Sequence, residues 1–331
     1  MARRAPECPI SVIVATRNRS SLLEKALAAM RSQSFTDFEV IVVDDGSHAA
    51  TRETYAALWT RLDHRFRLLE LGSAGSPGLG PSVARNLGLE AASGKIVTFC
   101  DDDDYWTDDA HLAAMAEVFG SEPEVDLYIA NQCAVSVQGV VEREHWLPAL
   151  VALVGSRPRS HAHGYRIALD ELVRAGGFAQ LNIVAARKDL VDAIGGFWIR
   201  TTYEEDRDFF WRAADAARVV FFNPAVVSRH NVPDPSRQNN LSRSFSQAER
   251  WLLSALVSQH IAISVRNSAI RALCHAYEGD ILRRLSHHWS DEGRHALGLQ
   301  YARRALAARL SFKWALYTAA LAARQFLRSR A

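Results

Sequence analysis

No run of about 18 apolar residues interrupts this 331-residue chain, so nothing in it reads as a bilayer-spanning helix. The stretch before Thr16 likewise lacks the long apolar segment of a secretory signal. Cysteine is scarce. The four thiols, Cys8, Cys100, Cys133 and Cys274, show no short Cys-to-Cys spacing, which disfavours a zinc site and a disulfide framework. Reduced thiols in a cytoplasmic protein are the expectation. Acidic residues vanish after Glu292, while Arg294, Arg303, Arg304, Arg309, Lys313, Arg324, Arg328 and Arg330 follow. The tail is therefore basic on a chain of net charge +2. That overall balance argues neither for nor against an anionic partner, and no nucleic-acid partner is expected. The glycine-rich stretch Gly72 to Pro81 lacks the Gly-Lys-Ser/Thr ending of a P-loop. It follows the third expected strand instead of the first, which fits a dinucleotide fingerprint poorly.

What is present is an ordinary globular composition, 48% hydrophobic and 23% charged, able to bury a core. Its most telling stretch runs from Gly94 to Trp106. The apolar run Ile96 to Cys100 reads as a buried strand and stops at four consecutive carboxylates, Asp101 to Asp104. Like charges repel, so they belong at the strand's exposed end. A divalent cation would relieve the repulsion, because hard oxygen ligands suit Mg2+ or Mn2+. A solvated acidic turn ahead of a helix near Asp108 is the plainer alternative.

The neighbouring elements bear on that choice. Ile10–Ala15 reads as a strand followed by Thr16-Arg17-Asn18, and Phe38–Val43 as a strand ending at Asp44-Asp45-Gly46-Ser47. Helical spacing marks 22–30, 51–62 and 82–92, and a third strand covers Phe66–Leu71. Strand–helix alternation predicts a mainly parallel sheet with helices on both faces. In such sheets ligands sit beyond the carboxyl ends of the strands, which is where the three polar clusters would meet. Arg85 and Asn86 lie on the helix after the glycine-rich loop; Arg85 could face a phosphate or be a surface arginine.

Further on, Val125–Ala130 and Ala134–Val141 read as strands around a Gln138-Gly139 turn. Residues 142–181 resist placement. His161 and His163 form a His-x-His, but no third ligand stands at a recognisable spacing, and a polar loop is preferred. Leu190–Ile194 reads as a helix stopped by Gly195-Gly196-Phe197. Glu204, Glu205 and Asp206 open a helix over 207–217, where the helix dipole alone would favour them. Val219–Phe222 and Ala225–Val227 are expected strands, the second leading to His230. The Pro/Asn/Ser-rich segment 232–244 has the composition of a lid. From Phe245 four helices are expected, near 245–265, 267–286, 291–308 and 311–328, as an appendage to the sheet.

The order of these motifs resembles the family 2 glycosyltransferases of GT-A fold. The matching pieces are Ile10 to Arg19, Val42-Val-Asp-Asp-Gly-Ser47, Ala84-Arg-Asn-Leu-Gly88, Ala92-Ser-Gly-Lys95, Asp101 to Trp106, Gly195-Gly-Phe197 and Glu205-Asp206. They cover about residues 9 to 230. The resemblance implies a GT-A-like α/β transferase domain over 1–240. Its nucleotide-binding half would be about 8–120 and its acceptor half 121–240, with a helical extension over 241–331. It implies that Asp44 or Asp45 contacts the base or ribose, that Thr16 and Arg17 line the same pocket, and that Arg85 approaches the diphosphate or base. Asp101, Asp102 and Asp103 match the Asp-x-Asp motif, with Asp103 and Asp101 as metal ligands and Asp101 and Asp102 near the nucleotide sugar. Asp206, beside Glu205, matches the catalytic base, and His230 matches an additional metal or diphosphate contact.

The implied activity is inverting transfer from a nucleotide-diphosphate sugar to a hydroxyl of a glycan or lipid-linked acceptor, with Mn2+ or Mg2+, in cell-envelope polysaccharide synthesis. A non-catalytic nucleotide-sugar-binding protein on the same fold is the alternative, and the intact acids argue against it. Gln247, Arg250 and Trp251 spell the Gln-x-x-Arg-Trp of processive members, but the membrane helices of those enzymes are missing, so a chance match is preferred. The basic C-terminal helices carry Tyr301, Phe312, Trp314, Tyr317 and Phe326, a pattern that suits peripheral docking on an anionic membrane surface or an inward-packed helical cap.

Overall fold

The computed structural model describes residues 10–233 and 245–328. Most of the anticipated lid therefore lies outside the described residues. The chain opens with β1 (Ile10–Thr16), α1 (Ser20–Arg31), β2 (Phe38–Asp44), α2 (Ala49–Trp59), β3 (Phe66–Glu70), α3 (Pro81–Ala91) and β4 (Ile96–Phe99). Then come β5 (Tyr105–Trp106), α4 (His111–Ser121), β6 (Val125–Val135), β7 (Val141–Arg143), α5 (Pro148–Val154), β8 (Tyr165–Ile167) and α6 (Leu169–Ala175). After these, β9 (Val184–Arg187), α7 (Lys188–Ala193), α8 (Glu205–Ala216) and β10 (Val219–Asn231) complete the sheet region. The C-terminal helices are α9 (Gln247–Ser264), α10 (Ser268–Asp291), α11 (His295–Ala308) and α12 (Phe312–Arg328).

One mixed sheet runs β3-β2-β1-β4-β9-β6-β10-β5, with β7 on β6 and β8 on β10. β3, β2, β1 and β4 are mutually parallel, β6 and β10 are parallel to each other, and β9 lies antiparallel between β4 and β6. The near-continuous apolar runs of β1, β2 and β4 follow from this, because strands covered on both faces need no polar side. Helix α3 lies close to β1: a Cβ on Gly88 would stand 2.6 Å from Ile13 Cγ2.

Two expectations are corrected. The two strands anticipated over 125–141 are one continuous β6, then the turn at Gln138-Gly139 and a short β7. The two anticipated over 219–227 are one long β10, whose pairing with β6 shifts between Phe222 and Val226. Pro224 lies in that interval and has no N–H to give the ladder. The unplaced residues 142–181 hold α5, β8 and α6.

The main core fills both sides of the sheet and takes in Val257, Ile261, Ala262 and Val265, from α9 and the residue after it, with Ile270 and Cys274 of α10. A second cluster joins Ile281, Leu282 and Leu285 of α10 to Leu299, Ala302 and Ala305 of α11 and to Trp314 and Leu321 of α12. Phe99, at the end of β4, packs edge-on against Phe197 and Phe209, which stack with centroids 4.4 Å apart. The strand that presents the aspartates thus rests on the helix that presents Glu205 and Asp206.

Candidate active site

The loops after β1, β2 and β4 meet at one sheet edge. Asp45 N–H donates to Thr16 O at 2.9 Å, and Asn18, at φ 58°, accepts from His48 N–H at 2.8 Å while its own N–H reaches Ser47 Oγ. A cavity of about 750 Å3 opens there, lined among others by Thr16, Arg17, Asp45, Arg85, Asp101, Asp102, Asp103, Glu205 and His230. That size lies within the range of small-molecule sites. The three polar strand ends are brought together as expected, and Glu205 and His230 reach the same space from the far half of the sheet.

Asp45 accepts from Leu79 N–H at 2.8 Å and Gly80 N–H at 2.9 Å, tying the glycine-rich loop over the cavity. Arg17 donates to Ser76 O in the same loop. Asp44, expected beside Asp45, is corrected to a different place. It is fully buried, accepts from Arg52 Nε at 2.9 Å and Ser47 N–H at 3.1 Å, and does not line the cavity.

The carboxylates are cross-linked by two arginines. Arg85 is buried and donates to Asp101 Oδ1 at 2.7 Å and to Glu205 Oε1 at 2.8 Å. Burial works against its charge, yet Asp101 and Glu205 raise its pKa overall. Arg19 spans Asp102 Oδ1 at 2.9 Å and Asp103 Oδ2 at 3.0 Å, and Thr16 Oγ1 donates to Asp102 Oδ2 at 2.7 Å. Arg19 was missed as a site residue: a basic residue after a strand carries no local sign of its partner 83 positions on.

Asp104, the last of the four acids expected at the strand's exposed end, is buried. It accepts from Asn182 Nδ2 at 2.6 Å and Asn231 N–H at 2.7 Å, and stands 2.8 Å from His230 Nδ1. His230 Nε2 is thereby left to the cavity. Burial alone would lower the His230 pKa, but the Asp104 bond and the nearby acids raise it.

The residues present fit a divalent cation. Burial, with Asp104 and Asp102 beside it and Arg19 only partly compensating, pushes the Asp103 carboxyl up to about 8. That is negative charge in excess of its partners. A carboxylate-oriented imidazole adds one borderline nitrogen donor to the hard carboxylate oxygens. Asp101, Asp103 and His230 line one cavity without closing to mutual ligand distance. Among the described residues the group of three whose ligand atoms lie within 4.8 Å of one another is Glu117, His161 and His163. There His163 Nε2 is 2.8 Å from Glu117 Oε2, and His163 N–H donates to His161 Nδ1 at 3.2 Å. Glu117 lies on α4, so no His-x-His spacing could reveal it.

Glu205 and Asp206 stand in the first turn of α8. Asp206 Oδ1 accepts from Arg207 N–H at 2.8 Å. Burial, then the neighbouring Glu205, Asp101 and Glu204, push the Asp206 carboxyl up to about 7. Asn86 fixes the preceding turn: it donates to Phe197 O at 2.9 Å and accepts from Phe197 N–H at 2.8 Å. The Gln247-Arg250-Trp251 segment begins α9, where Ser246 and Glu249 form a capping box and Trp251 packs on the second cluster.

Known proteins resemble the chain in sequence and in fold. In sequence, residues 11–190 match the profile of Glycosyl transferase family 2. A GalNAc(5)-diNAcBac-PP-undecaprenol beta-1,3-glucosyltransferase of Campylobacter jejuni is 33% identical over 135 residues, 41% of each chain. The poly(ribitol-phosphate) beta-N-acetylglucosaminyltransferase TarS of Staphylococcus aureus is 33% identical over 132 residues, 39% of this chain and 22% of that one. The matched part thus spans less than half the length of either relative. In structure, S. aureus TarS 1-349 in complex with UDP-GlcNAc superimposes with a TM-score of 0.61 at 17% identity, covering 91% of this chain and 81% of that one. A mannosyltransferase of Pyrobaculum calidifontis in complex with GDP-Man and Mn2+ gives 0.56 at 21% identity, over 96% and 80%. With the profile covering more than half of the residues, and the strand-end acids and Glu205 meeting at one cavity, the chain belongs to glycosyl transferase family 2.

Proposed function

We propose that this protein transfers a sugar, with inversion, from a nucleotide-diphosphate sugar to a hydroxyl of a glycan or lipid-linked acceptor of the cell envelope. The observation that carries the reading is one cavity lined by Asp101 to Asp103 on one side and by Glu205 on the other, with Asp206 next to Glu205 in the first turn of α8. Thr16, Arg17 and Asp45 line its nucleotide side. Arg85 holds Asp101 and Glu205 together, which keeps the two halves in register. Asp103, Asp101 and His230 would hold Mn2+ or Mg2+. When bound, the cation supplies positive charge to the leaving diphosphate. Asp206 takes the proton of the acceptor hydroxyl as its oxygen bonds to the anomeric carbon; the bond from that carbon to the phosphate oxygen breaks, and the nucleoside diphosphate departs. Residues 1–240 form the transferase unit, in two halves, and 241–331 the extension.

The same extension is read as the contact with an anionic membrane surface. No described helix is long and apolar enough to cross a bilayer. The last helix, however, exposes Phe312, Leu316 and Leu327 beside Lys313 and Arg324. Two relatives are named for action on an undecaprenol-linked glycan and on poly(ribitol-phosphate), which favours an envelope acceptor over a small free one.

Thermal stabilisation across a panel of nucleotide sugars, with and without Mn2+, identifies the donor. Asp206→Asn then keeps that stabilisation and loses transfer by about a thousandfold or more, the scale of a lost general base with its positioning. Full turnover in the variant would sink the base assignment.

A further inference from the structure

Glu204 stands directly before Glu205 and Asp206 with φ 56° and ψ 29°, in the left-handed region. Its side chain does not cap α8. It reaches across to the C-terminal helices instead. Ser254 Oγ on α9 donates to Glu204 Oε1 at 2.9 Å, and Tyr277 OH on α10 donates to the same oxygen at 3.0 Å. The second oxygen faces Arg207 Nη1 at 3.4 Å, and the Arg207 guanidinium lies 3.8 Å over the Tyr277 ring. The same grip continues along the helix. Asp208 is fully buried, with Oδ1 2.6 Å from His260 Nδ1 of α9. Asp215 accepts from the N–H groups of Arg266 and Asn267, between α9 and α10, at 2.8 Å each.

A side chain other than glycine stays left-handed only where its surroundings fix it. Here the fixing bonds fall on the one residue whose backbone rotation would turn Glu205 and Asp206 together. We propose that Ser254 and Tyr277 are positioning residues: through the Glu204 carboxylate they set the turn from which Glu205 and Asp206 approach the cavity. The C-terminal helices are then part of the reaction apparatus as well as of the core. The inference rests on the reading of Asp206 as the base. Neither hydroxyl touches the substrate. The plainer role, fastening the extension to the sheet, would move stability and leave turnover per folded molecule alone.

The test uses the full chain, the nucleotide sugar selected by the binding screen, and hydrolysis of that donor with Mn2+ as the rate. Ser254→Ala with Tyr277→Phe removes both hydroxyls and leaves the ring under Arg207. The double variant is expected to lose ten- to a hundredfold in kcat, with donor KM within twofold and Tm within a few degrees of the parent. Glu204→Gln keeps an oxygen for both donors and is expected to hold kcat within threefold, while Glu204→Ala falls with the double variant. A double variant whose kcat stays within twofold of the parent overturns the proposal, as does a loss confined to KM. If the double variant does not fold, Tyr277→Phe alone decides: kcat at least threefold down at unchanged KM supports the proposal, and parental kcat overturns it. Asp206→Asn in the same assay keeps the two readings apart. Its full activity would dismiss the base assignment and the positioning role with it, whereas loss of activity in Asp206→Asn beside parental kcat in the double variant would overturn the positioning role alone.

Discussion

Glu205 and Asp206 are adjacent, and the structure treats them differently. Glu205 Oε1 is committed to Arg85 at 2.8 Å. Asp206 sits against Glu205, Asp101 and Glu204, and its carboxyl is pushed up to about 7, chiefly by burial. A base with that proton affinity is half ready at neutral pH, where general-base efficiency is greatest. Donor turnover should therefore rise through about pH 7 and fall roughly tenfold per unit below it. A rate flat from pH 5 to 8 would contradict the assignment. The same shift has a stability consequence. The folded-state value lies above the ordinary 3.8, so the favourable contribution is complete below pH 3.8 and is lost as pH climbs through about 7. Asp206→Asn should match the parent near pH 4 and exceed it at pH 8, by up to about 4 kcal/mol; thermal midpoints at the two pH values check this. At this scale the acids were legible in sequence because each motif is local. Their partners were not. Arg19 on Asp102 and Asp103, and Asn182 on Asp104, come from elements far apart in the chain, and a side chain's reach across a sheet edge leaves no periodic trace.

The turn Gly195-Gly196-Phe197 shows what an element can and cannot reveal. As expected it ends a helix, α7, with Gly195 at φ 74°. Its second role appears only in three dimensions. Asn86 of α3 brackets the Phe197 peptide with two bonds, and a Cβ on Gly196 would lie 2.6 Å from Asn86 Oδ1. Phe197 then stacks on Phe209 of α8. The Arg85-Asn86 pair thus does two jobs from consecutive positions, one on the carboxylates and one on the turn that supports their helix. Asn86→Ala leaves Phe197 N–H and O without these partners, at about 1–3 kcal/mol for each group. The thermal midpoint should drop by several degrees and kcat should fall with it. Gly196→Ala should act in the same direction, since it forces Asn86 aside and strains a left-handed residue.

For the whole molecule, the strand–helix alternation and the polar strand ends were enough to foresee the parallel half of the sheet and where its cavity lies. The helical period after Phe245 was enough to foresee four helices. It could not say what they cover, because an apolar stripe reports that a face is buried and not against which element. Val257, Ile261 and Ile270 join the main core, while α11 and α12 pack on α10 in a separate cluster. A chain ended near residue 290 would therefore expose Ile281, Leu282 and Leu285, and any change in its membrane behaviour would mix lost contact with new stickiness.

Substitution on the outer face of α12 avoids that confusion. The helix buries Trp314, Thr318 and Leu321 against the second cluster. Phe312, Leu316 and Leu327 project elsewhere, 81%, 58% and 67% exposed, and share one stripe at helical spacing with Ala319, Ala320 and Ala323. Lys313 and Arg324 are exposed on the same helix, with Arg303, Arg304 and Arg309 before it. Each apolar side chain entering a bilayer interface is worth about 1.5–3 kcal/mol, and each basic one near an anionic leaflet about 1 kcal/mol. Leu316→Glu exchanges one such burial for a charge repelled by the lipid, and about 2 kcal/mol is a thirtyfold loss in partitioning. In flotation with anionic vesicles the parent should rise with the lipid and Leu316→Glu should stay at the bottom, with an unchanged thermal midpoint. Neutral vesicles should bind the parent less, and 0.5 M salt should weaken the anionic contact. Equal flotation of parent and variant would remove this face as the contact. A concentration-dependent dimer abolished by the same substitution would show that a second copy covers the stripe instead.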